Sequence, residues 1–264
     1  MDLGLTDKVV LVTGASSGIG RAIAAGFWTE GALVVGHAFS GHEALTEWGD
    51  TLGIDALQAD LRDPAQAEEL VAQVVDEYER IDVVVANAGR WPEPELLLDE
   101  TSPEALRAAI EDNLWTSMMT ARALFGALRR LGPSEAGASL VFTGSTAGRF
   151  GEAGHVAYAA AKAGLHGLVA TLKNEIVALD PRGRVNGVQP GWTRTPAVAS
   201  AIDEAMVARV TRTMPLRQLA EPEDVARAAV WLGSPAARHV TGEWITVAGG
   251  MEGRILWPDA APSR

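Results

Sequence analysis

Tyr158 and Lys162 stand four residues apart in the segment Tyr-Ala-Ala-Ala-Lys, within a longer Ala-rich stretch. Alanine favours helix, and four residues of helix make about one turn, so both side chains share a face. An ammonium beside a phenol favours the phenolate, which predicts a Tyr158 pKa pulled below its ordinary value of about 10. A tyrosine tuned in this way can serve as a general acid or base. Ser145 follows directly on the apolar run 138–143. That puts its hydroxyl at the C-terminal end of a strand, where open α/β sheets keep their sites. A Tyr–Lys pair at this spacing also occurs on ordinary surface helices, so the elements around it must decide its meaning.

Residues 8–13 read Lys-Val-Val-Leu-Val-Thr, a β-branched run expected of a strand buried on both faces. Gly14-Ala15-Ser16-Ser17-Gly18-Ile19-Gly20 follows, and then a helical pattern over 21–29. Strand, glycine turn and helix make a phosphate-binding arrangement. The glycines permit a tight turn and close approach, and the helix N-terminus offers free N–H groups to a pyrophosphate. The spacing Thr-Gly-x3-Gly-x-Gly differs from GxGxxG, and a glycine-rich turn alone is also a common structural device. Further strands are predicted at 32–37, 56–59, 83–86, 139–143, 184–189 and 244–247. Helices are predicted at 43–52, 64–80, 103–131 (broken near Asn113), 156–179 and 221–232, with Pro64 in a first turn. Strands alternating with helices build right-handed βαβ units and a parallel sheet covered on both faces. The expectation is one doubly wound α/β domain over 1–264, with 253–264 as a C-terminal tail.

Composition narrows the function. The 264 residues are 47% hydrophobic, yet no apolar run approaches the roughly 20 residues of a membrane span. The N-terminus has no basic region followed by an apolar one, and there are no cysteines, so a cytoplasmic location is expected. Disulfides, thiolate catalysis and Cys-ligated zinc are excluded, and the five histidines lack metal-binding spacing. A net charge of −12 repels phosphate backbones, which argues against nucleic acid. A single bound nucleotide depends instead on local donors.

The motifs now read TGASSGIG at 13–20, Asp60, Asn-Ala-Gly at 87–89, Asn113, Ser145, YAAAK at 158–162 and PGWTRT at 190–195. In this order and spacing the chain closely resembles the single-domain short-chain dehydrogenase/reductase superfamily, over about residues 9–250. The nearest branch contains 3-oxoacyl-(acyl carrier protein) reductases and secondary-alcohol dehydrogenases. The resemblance implies a Rossmann-type sheet of seven strands in order 3-2-1-4-5-6-7, with a nicotinamide cofactor across the strands' C-terminal ends. It implies Tyr158 as the acid/base, Ser145 bonded to the reacting oxygen, and Lys162 on the nicotinamide ribose while lowering the Tyr158 pKa. Asn113 would support a water relay to Lys162. It further implies Gly14, Ser16, Ser17, Gly18 and Ile19 around the pyrophosphate and adenosine side, with Asp60 and Leu61 bordering the adenine. Asn87, Ala88 and Gly89 would flank the adenosine ribose. Gly191, Thr193 and Thr195 would meet the nicotinamide end. Asp60 could equally cap the following turn, and Asn87 could mainly tie strands together.

NAD-preferring members carry an acidic residue about where Ala38 stands, to bind the ribose 2′-OH. Nothing acidic is there, and Ser17, His37 and Ser40 could donate to a 2′-phosphate, so the lean is to NADP(H) over NAD(H). The substrate pocket is expected from 90–92, 149–155, Trp192 with Arg194, and 196–219. Trp91, Phe150, Trp192, Met214 and Leu216 suggest an apolar carbonyl or alcohol substrate. Tryptophans also fill ordinary cores. His155 either touches substrate, together with Ser145, or faces solvent. Arg129 and Arg130 either dock an acidic carrier protein or complement a helix C-terminus. Ile255, Leu256 and Trp257 are expected to pack on a neighbouring subunit or over the pocket, and the family is commonly tetrameric. The leading expectation is a ketone/secondary-alcohol oxidoreductase. A 3-oxoacyl thioester reductase is the alternative, and a non-catalytic cofactor-binding sensor is the remote one.

Overall fold

The computed structural model describes residues 2–91, 94–198 and 203–251. The tail residues 253–264, Pro92 and the pocket positions 199–202 lie outside them. Seven strands form one parallel sheet: β1 (Val9–Thr13), β2 (Leu33–Ala38), β3 (Asp55–Gln58), β4 (Val83–Ala86), β5 (Ser139–Thr143), β6 (Arg184–Pro190) and β7 (Trp244–Val247). Their spatial order is β3-β2-β1-β4-β5-β6-β7, as the resemblance implied. The register runs Val10 to Val83 between β1 and β4, Val84 to Leu140 between β4 and β5, and Leu140 to Val185 between β5 and β6.

The helices are α1 (Gly18–Thr29), α2 (His42–Asp50), α3 (Pro64–Tyr78), α4 (Pro103–Ile110), α5 (Thr116–Leu131), α6 (Thr146–Phe150), α7 (Val156–Glu175), α8 (Glu204–Thr211) and α9 (Pro222–Gly233). α3, α5 and α7 cover one face, packing Leu70, Val74, Leu124 and Leu165 onto Leu11, Val84 and Leu140. α1, α2 and α9 cover the other, packing Ile23, Phe27, Leu45 and Leu232 onto Val10, Val12, Val85 and Val141. Each fully buried Leu, Ile or Phe contributes about 1.5–3 kcal/mol, so these two layers hold the frame of the site.

Several boundaries differ from the sequence expectation. α1 begins at Gly18 rather than at residue 21, because Ser17 is extended (φ −159°) and the glycines enter the first turn. The break expected near Asn113 in the helix over 103–131 is present, as a π-helical turn at Glu111–Trp115 that contains Asn113. α6 has five residues, too few to show a helical period.

His37 is a correction. It is 1% exposed and does not face a 2′-phosphate. The Gly14 N–H lies 3.4 Å from Nδ1 and can only donate, so Nε2 carries the proton and donates to the Ala59 carbonyl at 3.0 Å. The ring therefore braces the glycine turn against β3's exit. Burial pushes its pKa down to about 4, with the Ala59 carbonyl and Asp60 opposing.

Two outcomes are expected. A Cβ on Gly20 would collide with the Gly14 carbonyl oxygen and lie 2.5 Å from the Asn87 amide nitrogen. Gly20→Ala should destabilise by about 1–3 kcal/mol and lower Tm by several degrees in a thermal melt. For His37, the unfolded chain takes a proton near pH 6.5 that the folded chain refuses until about 4. Its contribution is therefore complete above pH 6.5 and declines at up to about 1.4 kcal/mol per pH unit as pH falls toward 4. Urea unfolding of His37→Gln should show a smaller loss between pH 7 and pH 5 than the parent.

Candidate active site

The C-terminal ends of β1, β4, β5 and β6 open into one cleft. After β1, Gly14 takes φ +68°, and a Cβ there would lie 2.9 Å from the Ala88 Cα. Thr13 and Asn87 hold this turn to β4. Thr13 Oγ1 accepts from the Asn87 and Ala88 N–H groups at 3.0 Å, and the Asn87 amide donates to the Thr13 carbonyl at 3.0 Å. The Ser17 side chain makes no capping bond to α1. The helix N-terminus therefore keeps main-chain donors for an anion. Thr195 approaches from the β6 side, its Cβ 3.3 Å from a Cβ built on Gly18. Gly14, Ser17, Gly18 and Ile19 line the cleft on one side, with Gly191, Thr193 and Thr195 opposite. A glycine cradle at a free helix end, opening toward the catalytic candidates, fits a dinucleotide.

Ser145 leaves β5 and caps α6, its Oγ accepting from the Ala147 N–H at 3.1 Å. α6 lies so close to α7 that a Cβ on Gly148 would fall 2.6 Å from the Lys162 carbonyl carbon. This approach sets the Ser145 hydroxyl near enough to the Tyr158 phenol to lower its pKa. Lys162, 4% exposed, donates from Nζ to the Thr143 carbonyl at 3.0 Å. Asn113 sits at the π turn. Its Nδ2 donates to the Arg90 and Ala109 carbonyls at 2.9 and 3.0 Å, and its Oδ1 accepts from the Arg90 N–H at 3.1 Å. A Cβ on Gly89 would lie 2.7 Å from Asn113 Oδ1 and 3.3 Å from Lys162 Nζ. Glycine there keeps Asn113 and Lys162 within reach of each other.

The electrostatics differ from the sequence expectation. Tyr158 is pushed up to about 12, mainly by burial; the Ser145 hydrogen bond opposes and the Glu152 carboxylate adds. Lys162 is pushed down to about 8 by burial alone. Its Nζ lies 5.8 Å from the Tyr158 ring centre and is turned to the Thr143 carbonyl. With Lys162 buried and Tyr158 half-buried, the loss of hydration outweighs their mutual influence, so each leans toward its neutral form.

Trp91 and Trp192 wall the cleft, with ring centres 5.7 Å apart, and Glu152 lines it with them. His155 is 7% exposed and stacks behind Trp91 at 4.2 Å, so it neither faces solvent nor lines the cleft. Phe150 lies under the Arg149 guanidinium, off the cleft. Met214 is buried with Met206, Val210 and Leu219 behind Trp192, and Leu216 is 66% exposed. The apolar wall is therefore narrower than its sequence suggested. At the adenosine end, Ser40 is exposed and Ser16 abuts Gly41. Asp60 accepts from the Arg62 N–H at 3.0 Å and from Nε and Nη2 at 2.8 Å each, so it closes its own turn, while Leu61 is buried in the core. The sequence reading missed the Thr143 carbonyl and Gly148. A main-chain acceptor leaves no mark in residue type, and Gly148 has meaning only against α7.

The comparisons agree with this geometry. A family profile described as enoyl-(acyl carrier protein) reductase matches residues 14–252. A 3-oxoacyl-(acyl-carrier-protein) reductase of Vibrio cholerae is 34% identical over 252 residues, 94% of this chain and 99% of the relative. An uncharacterised oxidoreductase of Mycobacterium tuberculosis is 37% identical over 256 residues, 94% of this chain and 93% of the relative. Among solved structures, ligand-free Thermoplasma acidophilum aldohexose dehydrogenase superposes with TM-score 0.83 at 28% identity, covering 98% of each chain. A Sinorhizobium meliloti protein described as a short-chain alcohol dehydrogenase superposes with TM-score 0.85 at 29% identity, covering 95% of this chain and 98% of the other. With its sheet order, glycine cradle and Ser–Tyr–Lys cleft, the chain belongs to the short-chain dehydrogenase/reductase family, oxidoreductases that act on CH–OH and C=O groups with a nicotinamide cofactor.

Proposed function

We propose that the protein reduces a ketone to a secondary alcohol, preferring NADP(H), with Tyr158 as the proton donor. The observation that carries this reading is that Ser145, Tyr158 and Lys162 line the same cleft as the glycine cradle, with the Ser145 hydroxyl near enough to the phenol to lower its pKa. The cofactor supplies the hydride. Ser145 holds the carbonyl oxygen against the phenol, which turns a chance encounter into a fixed geometry. Tyr158, pushed up to about 12, stays protonated through neutral pH and is ready to donate. The alkoxide oxygen that forms is far more basic than a phenolate, so the proton moves downhill. Lys162, anchored on the Thr143 carbonyl, holds the nicotinamide ribose, and Asn113 keeps the Arg90 main chain in place beside it. Gly14, Ser16, Ser17, Gly18 and Ile19 bind the pyrophosphate side, with Asn87, Ala88 and Gly89 at the ribose and Gly191, Thr193 and Thr195 at the carboxamide.

The preference for NADP(H) rests on the lack of a carboxylate at the end of β2, with exposed Ser40 beside Ser16 as donors. The named activity of the curated relatives supports a second reading, reduction of a 3-oxoacyl thioester. Exposed Arg129 and Arg130 in the last turn of α5 would then meet the acidic carrier. A homotetramer in the cytoplasm completes the proposal. Ala160, Ala163, Gly167 and Ala170 form an exposed small-residue stripe on α7 that permits close helix approach.

Tyr158→Phe should lose about 10²–10⁴-fold in turnover while fluorescence titration with NADPH gives a Kd close to the parent's, since only the transferable proton is removed. Undiminished turnover would overturn the assignment. Parallel titration with NADH should give the weaker binding; tighter NADH binding would reverse the cofactor preference. Sedimentation should give four times the 27.8 kDa chain mass, and a monomer would defeat the assembly.

A further inference from the structure

The cleft beside Tyr158 contains a charge that proton and hydride transfer do not use. Trp91 meets Tyr158 edge-on, with ring centres 4.9 Å apart, and Trp192 packs against Trp91 with ring centres 5.7 Å apart. Glu152 lines the same cleft, and its charge adds through space to the upward shift of the Tyr158 phenol. None of the ion pairs among the described residues includes Glu152. The charged side chains that bear on it are Glu95, which repels it, and Arg209, which attracts it. Arg90 also borders the cleft, but its side chain is exposed and its charge acts on Asp112. Burial raises the pKa of Glu152, as expected of a carboxylate without a close counter-charge.

Aromatic faces attract a cation through their quadrupoles, and a partly desolvated carboxylate supplies the matching charge. A neutral group in the same place would leave the carboxylate as costly as before, so the arrangement discriminates by charge rather than by size. The net charge of −12 adds long-range attraction for a cation. We propose that the substrate is a ketone or secondary alcohol carrying an ammonium or quaternary ammonium group a few bonds from the reacting carbon. Trp91 and Trp192, packed against each other, form the aromatic wall on which the cation lies, and Glu152 of the same cleft supplies the matching charge. This rests on the reading of Tyr158 as the reacting end of the cleft.

The test uses two ketones of nearly equal shape, 5-(trimethylammonio)pentan-2-one and its neutral isostere 6,6-dimethylheptan-2-one, with NADPH. The parent enzyme should favour the cationic ketone in kcat/KM by about tenfold or more. Glu152→Gln, which keeps the shape of the side chain, should bring that ratio close to one. A parent ratio at or below one overturns the proposal, as does a ratio unchanged in the variant. If neither ketone turns over, calorimetric titration of both into the NADPH-loaded protein separates the two readings. A Glu152-dependent preference for the cation then upholds the charge site and sinks the Tyr158 reading. Equal affinities, or no binding of either, sink the charge site itself.

Discussion

The buried Lys162 ammonium is the constraint around which the cleft is built. It sits 4% exposed on α7 and reaches the Thr143 carbonyl at the end of β5. An ammonium out of water needs hydrogen-bond acceptors, and that main-chain oxygen is the one it has among the described residues. The bond ties helix to strand beside Ser145 and Tyr158, the groups proposed to carry the reaction. Gly148 lets α6 rest on the Lys162 backbone, and Gly89 leaves the gap in which Lys162 and Asn113 stand together. A side chain at either glycine would push apart groups that the proposed chemistry requires within reach.

Desolvation then sets the character of the site. Burial drives Tyr158 up and Lys162 down, so both lean toward neutrality. A protonated phenol held against a serine hydroxyl is suited to giving a proton. The π turn at Glu111–Trp115 serves the same enclosure. It turns the Asn113 side chain onto the Arg90 main chain, and so fixes the loop that carries Trp91 over Tyr158. Wall, floor and the proposed proton donor are thus one connected set.

A second latch works at the cofactor end. Thr13, Asn87 and His37 all direct their polar atoms at the main chain of the glycine turn and its neighbours. Thr13 and His37 make the cradle rigid without lining the cleft, whereas Asn87 both ties the turn and lines the cleft. His37 illustrates the limit of reading residue type alone: an imidazole near the end of β2 looked like a donor to a ligand, yet both its nitrogens point inward.

The sequence alone determined the fold class and, through its resemblance, the strand order, and it singled out Ser145, Tyr158, Lys162 and Asn113 as the candidates for the chemistry. These were legible because local rules set them: β-branched runs make buried strands, glycines mark a turn, and four residues of helix align two side chains. Tertiary structure decided what those residues do to one another. Whether Lys162 tunes Tyr158 or turns to a carbonyl depends on which groups lose water, and burial belongs to the packed whole. Whether Asp60 meets a cofactor or Arg62, whether His155 sees solvent or Trp91, and whether Glu152 lies in the cleft depend on contacts between elements distant in the chain. No local pattern encodes such contacts, so they appear only when the sheet and its two helical layers bring the loops together.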